Sequence, residues 1–417
     1  MMQRIIAVAA LGVLAAAILS QAAAAMESPE RIYSKRIRIL DAERYVELRD
    51  QWKAYAEAHP KDAMGWTELA KAARYAGVKC DEYLEYAKKA VKLDPNYADA
   101  RAVLGSNNWC MYCPGADEDP AASIRELERA LELDPQSGEP HYSLWVMKLS
   151  QGKREEADGH LAALVQGGYI PEFLLDMAYN MLVAVEENAI ILTNGDNDTY
   201  PPLALQAARG IRKDVAIVNL SLLNTEWYRK ELREGPLAVP LPAIDGEAKG
   251  PQSGAAVMGL QENLRRDGWK RPLYVAITVF RNSLPLPNRL SLEGLVYRAL
   301  PEHGDEEEID VDQLEENLER NYRLDSATSL GLDWEHYSAL SRLVVNYAAA
   351  ESRLAKALAE REDLEGARTW ILRALRTCEF HGRNRFARSL GRSLAEAWRE
   401  WDPRSTAPSA WIEKFEK

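Results

Sequence analysis

The stretch AMGWTELAKAARYAGVKCDEYLEYAKKAVKLDPNY, residues 63–97, decides the first part of the fold. Trp66, Leu69, Ala70 and Ala73 recur three and four positions apart, which places them on one face of a helix. After a short turn a second amphipathic helix follows, in which Ala87 and Ala90 are small enough for close helix packing. Pro60, Pro95 and Pro135 close successive units, spaced 35 and then 40 residues apart. The extra residues of the second spacing fall in NWCMYCPGADEDP, and Leu127 and Ala130 occupy the equivalent small and apolar places one unit later. A third unit begins at His141.

This pattern resembles the tetratricopeptide repeat, which spans about 34 residues with an aromatic, a Leu-Ala step, a later alanine pair and a closing proline. It departs from that repeat at Arg101, where the first helix should carry an aromatic residue. A single unit of this kind cannot bury its apolar face alone, so the units stack and leave a concave surface. The resemblance implies either a protein or peptide partner held by the helices or a scaffold that only packs against its own neighbouring domain. A second helical region starts near Trp334. There NYAAAESRLAKALAEREDLEGARTWILRALRTC reads as helix, turn at Glu362–Asp363, helix, with Leu354, Ala355, Leu358, Ala367, Ile371 and Leu375 turned inward.

Between about 180 and 300 the periodicity changes. NAIILTNG, VAIVNLSLL and RPLYVAITV are strand-like, SLEGLVYRAL is read as a fourth strand, and PPLALQAARGI and TEWYRKELREG are helix-like. Strands alternating with helices predict a small parallel α/β sheet. Ligands of such sheets commonly sit outside the carboxyl ends of the strands. The stretch TNGDNDTYP, residues 193–201, falls at that end of the first strand. Asn194, Asp196 and Asp198, with Asn219 and Asn224 from the end of the second strand, are the candidate ligand-binding residues. Oxygen donors of this kind suit a hard cation, with Asp196 and Asp198 as the metal candidates. The competing reading is structural: Asp198 or Thr199 caps the next helix and Pro201 sits in its first turn.

AIILTNGDNDTYPPLALQAARGIRKDVAIVNLSLLNTEWYRKEL, RPLYVAITV, LEGLVYRALP and NYAAAESRLAKALAEREDLEGA together resemble the soluble C-terminal region of the DUF2723 membrane proteins over about 180–375. That family is of the glycosyltransferase family 117 type and is associated with protein O-glycosylation. The resemblance does not extend to the membrane part that handles the lipid-linked sugar, so no catalytic residue is carried over. It implies a module that recognises an acceptor protein or docks on an envelope assembly.

The remaining features bound the class. One arginine precedes an apolar stretch from Ile5 to Leu19, with Ala23 and Ala25 before Met26, which reads as a cleavable signal peptide and predicts a periplasmic protein. The formal net charge of -12, from 52 basic and 64 acidic side chains, disfavours a nucleic-acid partner. Export makes disulfides accessible to Cys80, Cys110 and Cys113, the last two spaced as a pair. No phosphate loop, dinucleotide fingerprint or nucleophile elbow occurs, and no cofactor is expected. The expected organisation is a signal peptide over 1–25, a linker over 26–45, helical repeats over 46–179, an α/β domain over 180–325 and a helical domain over 326–417, with no transmembrane span in the mature chain. The expected function is a non-catalytic periplasmic scaffold that binds protein or peptide, linked to envelope glycosylation. The alternative is a metal-assisted hydrolase or transferase using the loop 193–199.

Overall fold

The computed structural model describes residues 27–108, 120–244, 252–280, 284–304, 307–328 and 332–416. The expected signal peptide, and the Cys110 and Cys113 pair, lie outside these residues. The chain forms two compact units, one of residues 27–34 with 39–147 and the other of 35–38 with 148–416.

The first unit is built of antiparallel helices: α1 Ala42–Ala58, α2 Ala63–Tyr75, α3 Cys80–Leu93, α4 Ala98–Asn108, α5 Pro120–Leu133 and the start of α6 Glu139–Ser150. The Asp62 carboxylate accepts from the Met64 amide and starts α2. Gly77, at φ 79°, then turns the chain back, an angle that costs a side-chain-bearing residue more than glycine. Ala87, Ala90 and Ala130 are fully buried, as their size predicts. Gly105 lets α4 approach α5 closely, since a Cβ there would lie 2.7 Å from Leu127 Cγ. At the departure from the repeat pattern, Arg101 replaces aromatic packing with polar ties, donating to Pro95 O at 2.6 Å and Glu126 Oε2 at 2.5 Å.

The second unit begins with α7 Arg154–Gln166 and α8 Glu172–Val183, then β1 Ile190–Thr193, α9 Asp196–Arg209, β2 Ala216–Asn219, α10 Glu226–Glu234, α11 Ser253–Arg266 and β3 Leu273–Ala276. β4 Asn288–Leu292, β5 Val296–His303, β6 Glu307–Ile309 and the short α12 Val311–Glu316 follow. The sheet order is β2-β1-β3-β5-β4-β6. β2, β1 and β3 are parallel and their residues are buried throughout, as a sheet covered on both faces requires.

The other half corrects the parallel expectation. β5 runs antiparallel to β3 and to β4, so the sheet is mixed. SLEGLVYRAL is two strands, because the chain reverses at Gly294, whose φ of 149° few other residues adopt. The VAIVNLSLL strand also ends early, at Asn219, and a 3-10 turn takes Leu222–Asn224.

The unit closes with α13 Ser338–Glu360, α14 Leu364–Phe380, α15 Arg385–Trp401 and α16 Ala407–Glu416. The α13–α14 hairpin is the expected one: Glu362 takes a φ of 67° in the turn and Asp363 caps α14 at the Gly366 amide, 3.0 Å away. Among the described residues no helix is long and apolar enough to cross a membrane. The protein is thus a tetratricopeptide-like helical array, a small α/β sheet and a C-terminal helical hairpin with two further helices.

Candidate functional site

The carboxyl ends of β1 and β2 do carry a dense polar cluster, and its wiring is internal. α9 starts at Asp196, with Gly195 as the residue before it, earlier than the cap at Asp198 or Thr199 that the sequence suggests. Asp198 is therefore the third helical residue and reaches back, accepting from the Asn194 and Gly195 amides, each at 2.8 Å. The Thr278 hydroxyl, from the loop after β3, donates to the same carboxylate. Burial pushes the Asp198 pKa up from its ordinary value, opposed by these hydrogen bonds. Pro201 and Pro202 accordingly fall in the second turn of α9, beyond the first-turn position expected of Pro201.

The neighbouring groups are equally occupied. The Thr193 and Thr199 hydroxyls lie 2.7 Å apart, and Asn219 Nδ2 donates to Thr199 Oγ1 at 2.9 Å. Asn219 Oδ1 accepts from the Leu222 amide at 2.9 Å, which holds the 3-10 turn against the strand end. Asp196 turns away from Asp198 and pairs with Arg36 at 2.8 Å, while Asn197 Nδ2 donates to Arg36 O at 3.0 Å. The two aspartates thus serve different partners. Asn224 Oδ1 accepts from the Gln252 and Ser253 amides at 2.8 and 2.9 Å, capping α11, and its Nδ2 donates to Ser221 O.

Of the five candidate residues only Asn194 keeps an exposed side-chain amide without a hydrogen-bond partner among the described residues. It borders a cavity of about 190 Å³ with Ser221, Asn224, Ser253 and Val257. That space offers hydroxyl and amide groups to a small polar molecule. Among the described residues no three or more His, Cys, Asp or Glu side chains gather as metal ligands. The described cysteines divide by chemistry: Cys80 is disulfide-bonded, and Cys378 is a buried free thiol pushed up to about 12 by its burial.

A second cluster, in the first unit, escapes sequence reading. Glu68 on α2 is fully buried. Its carboxylate accepts from the Ile32 backbone amide at 2.7 Å, from Arg31 Nε and Nη2 at 3.2 and 3.1 Å, and from Lys71 at 3.0 Å. Asp99 at the start of α4 binds the same two cations, Lys71 at 2.6 Å and Arg31 at 3.3 Å. Burial works to lower the Lys71 pKa, but Asp99 and Glu68 together outweigh it and hold the ammonium charged. Trp52 Nε1 donates to Glu30 O at 2.9 Å, and the Ile32 side chain enters the apolar core with Trp52, Trp66, Leu69 and Ala100. Residues 30–32, which belong to no helix or strand, are held by the repeats through backbone, charge and an apolar anchor. The only advance signal is a carboxylate beside the small and apolar stripe of α2.

Residues 174–242, which run from α8 past α10 and include the strand-end cluster, match the family described as TMEM260-associated domain 2. No curated protein matches the chain. Two solved structures, titled "Crystal structure of MamA" and "Crystal structure of MamA protein", are similar at 18% identity. The first has a TM-score of 0.28 and covers 43% of this chain and 96% of its own; the second has 0.27, 49% and 98%.

Proposed function

We propose that this protein is a non-catalytic scaffold whose helical repeats hold a segment of a partner protein. The observation that carries the reading is the capture of residues 30–32 by α2 and α4: a backbone amide on Glu68, an arginine shared between Glu68 and Asp99, and an isoleucine in the core. A helical array that grips one irregular stretch this way has the chemistry to grip another. The strand-end cluster supports the non-catalytic part, because its buried carboxylate is committed to three local donors. Export to the periplasm and a place in envelope glycosylation belong to the same proposal. They are supported by the signal-like first 25 residues and by the resemblance of about 180–375 to the soluble DUF2723 region.

The test is affinity capture from a native envelope extract by the full chain and by a form lacking residues 27–147, with circular dichroism confirming that the shortened form is folded. Capture by the full chain alone is the expected result. Undiminished capture by the shortened form moves the binding surface out of the repeats and ends this reading.

A further inference from the structure

The α13–α14 hairpin and residues 324–328 line a half-open cavity of about 320 Å³ that the proposed scaffold role does not use. Its polar wall comes from helical spacing. Glu351 lies four residues after Tyr347 on α13, while Arg373, Arg376, Thr377 and Phe380 share one face of α14. Glu351 is 2% exposed. One of its oxygens is held by Arg373 Nε at 2.8 Å, and the other has no hydrogen-bond partner among the described residues. Arg373 is braced over the Trp370 ring, 5.3 Å from its centroid. Arg376 is exposed and has no ion-pair or hydrogen-bond partner among the described residues. Most of the remaining wall is apolar, with Ala327 and Phe380 contributing to it.

We propose that this cavity binds a carboxylate carried on a small apolar body, with the anion on Arg376 and the body between Phe380 and Tyr347. Arg373 is already engaged by Glu351, so Arg376 supplies the one uncommitted guanidinium of the cavity, which a monoanion on an apolar body matches better than a fully hydrated phosphate dianion. The planar guanidinium fork matches a carboxylate in shape. Ligand pockets usually measure about 300–1,000 Å³, so this one takes a small acid or one terminal residue and little more. The carboxylate has two natural sources, a free organic acid and the C-terminus of a peptide, and both present the same group to Arg376.

Isothermal titration of the full chain distinguishes these cases with N-acetyl-leucine, N-acetyl-leucinamide, a tetrapeptide ending in leucine with a free carboxylate, and inorganic phosphate. The expected result is binding of the two carboxylates, with the amide and phosphate weaker by about tenfold or more. Arg376→Gln should weaken the carboxylates by a similar factor and leave the circular dichroism spectrum unchanged, because the side chain is exposed. The tighter of the two carboxylates assigns the source, peptide end or free acid. Absence of heat with either carboxylate, equal binding of acid and amide, equal binding of phosphate, or carboxylate binding unchanged in Arg376→Gln would each overturn the proposal.

Discussion

The strand-end loop after β1 and the cavity between α13 and α14 are opposites. The loop is crowded with aspartate, asparagine and threonine, and nearly all of that polarity is used up by the fold itself. The cavity looks ordinary in sequence, two charged amphipathic helices, yet it holds a buried carboxylate oxygen and an arginine with no partner among the described residues. Hydrogen-bonding capacity left over, rather than polar composition, marks where a ligand can still gain something. Composition is legible along the chain. Spare capacity depends on what folding brings alongside.

The comparison breaks most readily at Asp198. If that carboxylate is architectural, Asp198→Ala strands two backbone amides and the Thr278 hydroxyl, and chemical denaturation should show a loss of about 3–5 kcal/mol. A variant as stable as the parent would show that the loop is not holding β1, α9 and the β3 loop together.

Next in size is a pH effect from buried carboxyls. Burial raises Glu351 to about 8 against the opposing pull of Arg373, and raises Glu293 to about 7. Both ordinarily titrate near 4.5, so the folded protein holds more protons than the unfolded chain between those values. The stability that these two groups contribute is therefore full below about pH 4.5 and is lost as pH rises through about 7 and 8. Unfolding free energies from chemical denaturation between pH 5 and pH 9 should fall in the parent by an amount on the order of 5 kcal/mol, and less steeply in Glu351→Gln, which cannot ionise. Parallel pH profiles for the two proteins would remove Glu351 from the account.

The smallest effects return to the strand-end loop. Asp196→Asn disturbs a half-exposed pair with Arg36 and should cost about 0–1 kcal/mol in the same assay. Mg²⁺, Ca²⁺ or a chelator should leave the melting temperature of the parent and of an Asp196→Asn, Asp198→Asn double mutant unmoved. A parent stabilised by one cation, beside an indifferent double mutant, would make the loop a metal site and restore the metal-assisted reading.

What the sequence conveyed follows from distance along the chain. The α2 helix occupies the AMGWTELAKAARY segment, and the α13–α14 turn falls at Glu362–Asp363, because helical period and caps are local signals. The three parallel strands announce themselves by short buried runs. The β4–β5 hairpin does not, since an apolar run interrupted by one glycine reads equally well as a single strand. The distant partners of TNGDNDTYP were beyond reach, because they lie far along the chain. Asp198 meets Thr278, 80 residues onward, and Asp196 meets Arg36, 160 residues back. Glu68 resembles any solvated helix charge until Ile32 and Arg31 arrive from another segment.

The most direct test of the central claim, that the repeats bind the partner and the strand-end loop does not, is site-specific photo-crosslinking in native envelope extract. One full-length form carries the crosslinker at Val103 on α4, and a second carries it at Asn194, the loop residue whose side chain is exposed. The account predicts a discrete protein adduct from position 103 and none from position 194. An adduct from position 194 with none from position 103 would contradict it.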